Sequence, residues 1–428
     1  MNIQAIHPAE QLVMFMQRIY DKGLTTTSGG NLSIMDEEGN IWITPAAIDK
    51  GSLNVCDIVC VKPDGSVQGK HRPSSELPFH RAVYAMRPDL KAVLHAHPPA
   101  LVSFSVARKV PNVDLLPAVR KLCPEMRISP YAVPGGEELG KNIGKCFMEG
   151  CDLVVLENHG VCIGGTDLSA AFLRFETLEY AATVEMLACR IGQPKTVSEQ
   201  QSGNVDWCSI NRQELTLRDR SAEECLARRE MIELIRRAYR LGLLTGSQGV
   251  FSVRLSENSF LITPADIDRA YMEPDDLVFI EDYGADQEHG LSHTAALHQM
   301  IYRLHPEISS VFAAQPVHAM AFAVTAATFN TRIIPESYVL LRDVKRIPFG
   351  QKESNLQDTA AYFSETVPAA IVEHDCVIVT GNSALQAFDR LEVMELTAKS
   401  IMNAGSIGTM VDITDEEIED IKSAFHLK

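Results

Sequence analysis

The spacing of apolar and polar positions predicts the same order of elements twice along the chain. An amphipathic helix opens each half, at Pro8–Lys22 and Ala222–Leu241, with apolar residues at helical intervals. Short runs rich in β-branched residues follow, and a long helix closes each half, at Leu168–Ile191 and Ser383–Ala404. Helices that alternate with short strands are typical of a layered α/β domain, so the pattern predicts that domain used twice.

Repeated landmarks support an internal duplication. The segment Ile43–Ala46 recurs as Ile262–Ala265, and the apolar run Leu153–Gly165 recurs as Ala369–Gly381. Further landmarks keep nearly the same offset: Asp57 and Asp276, Gly65 and Gly284, His80 and His298, Val93–Pro98 and Val311–Pro316. An offset that holds over so many positions indicates two copies of one domain.

The join between the copies lies in Gln193–Arg220, a polar stretch rich in Ser, Gln and Asn without sustained periodicity. We therefore predict a first domain over residues 1–195, a linker over 196–220 and a second domain over 221–428.

Composition and charge narrow the classes of function. A chain of 428 residues is too long for one typical core, and 46% apolar with 22% charged residues is the composition of a soluble globular protein. The net charge of −17 argues against nucleic acid and anionic membranes as partners, since both select basic surfaces. Met1–Gln17 lacks the pattern of a signal peptide, no apolar run approaches the length of a membrane span, and the ten cysteines are unclustered. These features predict a cytoplasmic protein.

Three histidines form the strongest chemical signal. His95 and His97 are separated by one residue at the end of an apolar strand, so their side chains point to the same face. His159 follows a second predicted strand and would complete a three-histidine zinc site with positions left open for chemistry. The alternative is that one of His95 and His97 is a core histidine and the other a surface histidine. That interpretation is favoured for a lone histidine and disfavoured for this combination of motifs.

A predicted helix start lies just upstream of these histidines, at Pro73–Glu76. Ser74 or Ser75 could cap the helix, and such an N-terminus can hold a phosphate or carboxylate. Glu76 would lie in the first turn, where a carboxylate beside a metal serves as ligand or general base. Capping alone also explains this segment.

Two further loops carry hydroxyl groups and glycines. Thr26–Ser33 contains Gly29 and Gly30 and could form a backbone nest for an anion, or an ordinary turn. Thr44 offers a hydroxyl at the tip of the next loop.

Together the TSGGN turn, the ITP loop, the SSE helix start, the HxHP strand and the NHG strand resemble the class II aldolase/adducin family. The resemblance covers almost all of the first half and, without the site residues, the second half. It implies an α/β fold: two copies of a three-layer α/β/α domain with a central, mainly antiparallel sheet. The motifs are much more specific for this fold than for the reaction.

The resemblance also implies roles for individual residues. His95, His97 and His159 would bind Zn²⁺ or another divalent metal, and Glu76 would be the catalytic acid/base. Six residues would surround the phosphate of a small sugar-phosphate substrate: Ser28, Gly30, Asn31, Thr44, Ser74 and Ser75. The implied reaction is retro-aldol cleavage of a ketose 1-phosphate to dihydroxyacetone phosphate and an aldehyde, through an enediolate whose charge the zinc spreads.

Departures from the family pattern leave the reaction partly open. Ala47 stands where the family's aldolases have glycine, and Leu115 stands where they have a tyrosine acid, so the general acid is unassigned. Tyr131 and Tyr338 are the candidates for that acid. Glu76, in place of the aspartate of the family's epimerases, favours aldol cleavage. Epimerisation, dehydration, decarboxylation and a non-catalytic adducin-like interaction role stay as alternatives, the last disfavoured by the intact metal-site residues.

The second copy has lost the site residues. The aligned pairs are His95/Ala313, His97/Gln315, His159/Asp375, Glu76/Thr294, Asn31/Val250 and Gly29/Gln248. We therefore expect a non-catalytic second half; the alternative is a rearranged metal site using His293, His298, His318 or His374. Because the family forms fourfold tetramers, the resemblance implies a homo-oligomer in which two tandem chains form a pseudo-tetramer.

Overall fold

The computed structural model describes residues 3–198, 213–214, 219–265, 267–282, 284–286 and 290–427. The chain divides into two compact units, Met1–Val113 with Ala118–Thr183 and Asp114–Pro117 with Val184–Lys428. Most of the predicted linker, residues 199–212 and 215–218, lies outside the described residues. The domain boundaries at 195 and 221 therefore stay a prediction.

An eight-stranded mixed sheet forms the centre of the first half. Its strands are β1 (Asn31–Met35), β2 (Ile41–Ile43), β3 (Val59–Val61), β4 (Val67–Gln68), β5 (Ala92–Ala96), β6 (Met126–Ser129), β7 (Leu153–Leu156) and β8 (Gly160–Gly165). Their order is β4-β3-β2-β1-β5-β8-β7-β6, and all neighbours are antiparallel except β6 and β7. Every residue of β5 and β8 is buried, which explains why these central strands are apolar runs.

The helices of the first half connect these strands. They are α1 (Pro8–Asp21), α2 (Leu77–Met86), α3 (Pro99–Val106), α4 (Pro117–Leu122), α5 (Glu137–Met148) and α6 (Leu168–Ile191). Two of them frame the site region, because α2 leads into β5 and α3 begins directly after it.

The second half repeats this arrangement. Its strands are β9 (Gln213–Glu214), β10 (Val250–Arg254), β11 (Ser259–Ile262), β12 (Val278–Glu281), β13 (Gly284–Ala285), β14 (Ser310–Ala314), β15 (Val344–Ile347), β16 (Ala369–Val372) and β17 (Cys376–Gly381). The order β15-β16-β17-β14-β10-β11-β12-β13-β9 matches the first sheet strand for strand, with β9 added at one edge. The predicted fold, two copies of a three-layer α/β/α domain with a mainly antiparallel sheet, is confirmed.

The helices of the second half are α7 (Ala222–Arg240), α8 (Ala295–Leu304), α9 (Val317–Ala323), α10 (Pro335–Leu341), α11 (Gln351–Ser354), α12 (Leu356–Ala361), α13 (Ala384–Ile407) and α14 (Asp415–Ala424). Within the described residues, no helix has the length and apolar character needed to cross a membrane.

The start of α2 differs from the sequence prediction. Glu76 itself is the N-cap residue, and both serines precede the helix. The hydroxyl of Ser74 instead accepts a hydrogen bond from the N–H of Glu76 at 3.3 Å. Pro78 lies in the first turn, where its missing N–H costs no helical hydrogen bond.

Candidate metal site

The three predicted histidines meet at one end of the first sheet. His95 is on β5, His97 follows it, and His159 lies in the turn between β7 and β8. Because β8 pairs with β5, this turn lies beside the end of the histidine strand. One ring nitrogen from each side chain lies within 4.8 Å of the others, and the Nε2 atoms of His95 and His97 are 3.0 Å apart. The spacing suits one shared metal ion.

The protonation state of the cluster also suits a metal. The Nδ1–H of His95 donates to the carbonyl of Val161 at 2.8 Å, so the lone pair of Nε2 points into the cluster. Burial lowers the pKa of His95 to about 3 and that of His159 to about 4, with neighbouring imidazoles adding to both shifts. Burial also lowers the pKa of His97. Neutral imidazole is the form that binds metals.

The carboxylate of Glu76 lies against the imidazoles. Its Oε2 accepts a hydrogen bond from Nδ2 of Asn31 at 2.7 Å and lies 3.3 Å from Nε2 of His95. Its Oε1 lies 3.6 Å from Nε2 of His159. Oε1 of Glu76 and Nδ1 of His159 are buried and have no hydrogen-bond partner among the described residues. Buried polar atoms are normally satisfied, so these two fit a site completed by a metal and a ligand.

Glycines leave the space that the imidazoles occupy. A Cβ added at Gly29 would lie 2.9 Å from Nδ1 of His97, and one added at Gly160 would lie 2.7 Å from Cδ2 of the same ring. Gly30 has φ +68°, and its added Cβ would lie 2.7 Å from the carbonyl oxygen of His95. The glycines of the TSGGN turn therefore pack beneath the histidine strand.

Ser105, on α3, positions His159 and was missed from the sequence. Its hydroxyl accepts a hydrogen bond from the N–H of His159 at 3.0 Å and donates one to the carbonyl of Leu156 at 2.5 Å. Its only sequence signal is that it is one of two serines in an otherwise apolar helix.

Thr44 and Ser74 are buried beside each other. The Thr44 hydroxyl accepts a hydrogen bond from the N–H of Leu32 at 3.2 Å, and its carbonyl accepts one from the N–H of Ser74 at 3.2 Å. In the second half, the hydroxyl of Thr263 accepts a main-chain hydrogen bond in the same way. This part of the ITP loop is therefore a feature of the fold, and a phosphate contact by Thr44 or Ser74 stays a prediction.

The remaining predicted phosphate residues, Ser28 and Ser75, are exposed. Lys50, which the sequence did not single out, connects the two loops near them. Its Nζ donates to the carbonyl of Pro45 at 2.7 Å, and its N–H donates to the carbonyl of Thr27 at 2.9 Å. Burial lowers the pKa of Lys50 to about 8.

The candidate general acids lie in different halves. Tyr131 follows β6 and is 55% exposed, and its N–H donates to Glu157 at 3.1 Å. Tyr338 lies on α10 of the second half. The assignment of the acid stays open.

In the second half, a lysine occupies the region that corresponds to the metal site. Nζ of Lys352, on α11, lies 3.0 Å from Oδ2 of Asp375, the counterpart of His159, and also pairs with Glu353. It lines a small cavity with Thr294, the counterpart of Glu76. Burial alone would lower the pKa of Lys352, but the two carboxylates hold it above its usual value. The ammonium group of Lys352 thus pairs with the carboxylates of this degenerate site.

The predicted alternative, a rearranged metal site in the second half, finds no support. In the described part of the chain, the one group of three or more metal-ligating side chains is His95, His97 and His159.

Comparison with known proteins gives one family. The sequence model of the Class II Aldolase and Adducin N-terminal domain matches twice, over residues 10–186 and 229–402. A 5-deoxy-D-ribulose 1-phosphate aldolase of Bacillus thuringiensis is 31% identical over 46% of this chain and 92% of the relative. A 3-oxo-tetronate 4-phosphate decarboxylase of Haemophilus influenzae is 29% identical over 40% and 84%. An L-fuculose phosphate aldolase of Methanococcus maripaludis is 30% identical over 41% and 95%.

Proposed function

Because the chain belongs to the class II aldolase and adducin family, we propose that its first half is a zinc-dependent lyase. The proposed reaction is retro-aldol cleavage of a ketose 1-phosphate to dihydroxyacetone phosphate and an aldehyde. One observation carries this proposal: three neutral imidazoles converge within 4.8 Å, with the buried carboxylate of Glu76 against them.

The residues of the site divide the chemistry between them. His95, His97 and His159 would hold the ion, and a bound divalent cation supplies a Lewis acid that stabilises negative charge on substrate oxygens. Glu76 would exchange a proton with the carbon next to the substrate carbonyl. In the cleavage direction the C3–C4 bond breaks, the C4 hydroxyl loses its proton to an unassigned base, and C3 receives a proton from Glu76.

Decarboxylation is the second candidate, and the relative in Haemophilus influenzae, a 3-oxo-tetronate 4-phosphate decarboxylase, favours it. Loss of CO₂ next to a carbonyl develops the same negative charge as aldol cleavage, so the same metal-site residues would serve both reactions. The two reactions differ in the group that leaves.

A product assay separates the candidates. The zinc-loaded protein is incubated with ketose 1-phosphates and with 3-oxo sugar-acid phosphates, and release of dihydroxyacetone phosphate and of CO₂ is measured. We expect dihydroxyacetone phosphate, and we expect Glu76→Gln and His97→Ala to lower kcat by about 10²-fold or more. Glu138→Gln is the control, since Glu138 is exposed on α5. A wild-type protein that binds no divalent metal and forms neither product would refute the proposal.

The oligomer and the location stay predictions. We propose a homodimer of tandem chains that forms a pseudo-tetramer, in the cytoplasm. Light scattering coupled to size-exclusion chromatography would test the assembly. A monomer in solution would contradict the proposed dimer.

A further inference from the structure

A column of buried polar side chains, contributed by α2 and β1, ends at Glu76. On α2 and its cap, Glu76, His80 and Tyr84 recur every four residues and so lie on one helical face. On β1, Asn31 and Ser33 recur every second residue and so lie on one face of the strand. All five side chains are buried. The helix and strand therefore bring a polar column into an apolar core, where each group needs a partner.

The hydrogen bonds of this column run in one direction. Asn31 donates from Nδ2 to Oε2 of Glu76 at 2.7 Å, so its Oδ1 accepts from Nε2–H of His80 at 2.5 Å. With its proton on Nε2, neutral His80 accepts at Nδ1 from the hydroxyl of Ser33 at 2.7 Å. The Ser33 oxygen then accepts from the hydroxyl of Tyr84 at 2.7 Å. Every donor in the chain points toward the carboxylate.

The second half contains the same column but lacks the amide and the carboxylate at its end. Ser252 lies 2.7 Å from Nδ1 of His298 and 2.7 Å from the hydroxyl of Tyr302, as in the first half. The positions of the bridging amide and the carboxylate are occupied by Val250 and Thr294. The serine, histidine and tyrosine therefore belong to the fold, whereas the amide and the carboxylate occur in the half that has the three histidines.

Within the described part of the chain, the loss of the amide leaves the imidazole of His298 without a partner at one nitrogen. Nε2 of His298 is buried and has no hydrogen-bond partner among the described residues. A buried donor without a partner destabilises the folded state. His298 thus keeps the orientation of His80, but Val250 stands where the first half has the amide of Asn31.

We propose that Asn31 is a positioning residue for Glu76 and that the Tyr84–Ser33–His80 chain holds its amide in that orientation. The amide fixes Oε2, which leaves Oε1, the buried oxygen without a hydrogen-bond partner, as the atom that exchanges the proton with the substrate carbon. The phosphate contact predicted for Asn31 stays a separate prediction. It rests on the proposed lyase function.

The test uses the zinc-loaded full chain and dihydroxyacetone phosphate in deuterated water. Proton exchange at the substrate carbon depends on Glu76 and the metal but not on the unassigned group that acts at the C4 oxygen. We expect Asn31→Leu to lower the exchange rate and kcat by about 10–100-fold, with KM and zinc affinity changed less than about threefold. His80→Gln, which keeps a donor and an acceptor, should recover most of the rate that His80→Leu loses.

Tyr84→Phe and Tyr302→Phe form the matched control pair, since each removes the same hydroxyl from the same triad. Both should destabilise their own half by a similar amount, measured as roughly fivefold faster hydrogen exchange of the core amides of that half. Only Tyr84→Phe should slow the exchange.

Three results would overturn the inference. The first is an Asn31→Leu variant with a raised KM and an unchanged exchange rate, which would make Asn31 a phosphate ligand. The second is equal exchange rates in Tyr84→Phe and Tyr302→Phe. The third is the absence, in wild type, of a protected imidazole proton at Nε2 of His80 by ¹H–¹⁵N NMR. That NMR signal does not depend on activity. Failure of the lyase proposal would appear as no proton exchange in wild type, and it can therefore be distinguished from failure of the inference on Asn31.

Discussion

At the scale of single residues, the imidazole cluster depends on positions that no side chain can fill. Gly30 combines φ +68° with a main-chain carbonyl 2.7 Å from where a Cβ would lie. Gly23 has nearly the same φ, +67°, but no atom lies within 4 Å of its added Cβ. The two glycines therefore separate the cost of a left-handed backbone from the cost of crowding the histidine strand.

We predict that Gly23→Ala lowers local stability by about 1 kcal/mol, the cost of placing alanine in the left-handed region. Gly30→Ala should cost about 1–3 kcal/mol more, and it should weaken zinc binding because His95 must shift. Hydrogen exchange on peptides covering β1 and α1, together with competition titration of zinc, measures both effects. Equal behaviour of the two variants would contradict the packing argument.

The sequence predicted those residues whose chemistry is visible in local spacing. His95, His97 and Glu76 follow from a strand period and a helix start, and His159 follows from a strand-ending motif. Ser105 and Lys352 could not be predicted in this way, because their roles arise from contacts with residues far away in the sequence.

At the scale of elements, the segment after His97 is anchored by a buried carboxylate. Glu179, on α6, accepts hydrogen bonds from the first N–H groups of α3, those of Ala100 and Leu101, both at 2.9 Å. Glu395 accepts from the N–H groups of His318 and Ala319 at the start of α9 in the same way. Both halves therefore use a carboxylate of the long closing helix to satisfy a helix N-terminus.

This anchor predicts a pH dependence. Burial raises the pKa of Glu179 to about 7, above the value of 4.5 expected in the unfolded chain. Between these values the folded state holds a proton that unfolding releases, so stability falls as pH rises from about 4.5 to 7, by up to about 3 kcal/mol. Hydrogen exchange of the α3 amides, corrected for intrinsic rates, measures the slope. Glu179→Gln should flatten the slope, Glu138→Gln should not, and a slope retained in Glu179→Gln would contradict the prediction.

The elements themselves were largely predictable, because α1, α6 and the central strands bury apolar faces at regular periods. The start of α2 was not. Serine is the usual cap, but the N-cap here is Glu76, whose side chain makes no capping hydrogen bond. Its counterpart Thr294 holds the same position in the second half, so the helix start belongs to the fold, and the Glu76 carboxylate is free to contact Asn31 and the histidines.

At the scale of the whole molecule, the two halves share a strand order but differ at the end of the sheet where the histidines cluster in the first half. In the second half, a lysine paired with carboxylates occupies that region. The duplication was predictable from repeated landmarks. The lysine of the second half was not, because α11 carries it in from a segment with no matching motif in the first half.

We predict one divalent ion per chain. The first half offers three neutral nitrogen ligands, whereas the ammonium group of Lys352 already occupies the corresponding region of the second half. Elemental analysis after dialysis against micromolar zinc should give one equivalent for wild type and close to none for His97→Ala. Two equivalents in wild type would show that the second half has kept a metal site.

The last prediction tests whether Lys352 serves stability or metal binding. Lys352→Met keeps the length of the side chain but leaves the half-buried carboxylates of Asp375 and Glu353 without their buried cation. Removing one partner from a buried ion pair costs about 3–5 kcal/mol, so hydrogen exchange of β16 and β17 should accelerate strongly. Zinc stoichiometry should stay at one per chain, because the ligands of the first half are untouched. A variant that loses its zinc while β16 and β17 stay protected would mean that Lys352 supports the metal site and not the fold of its own half.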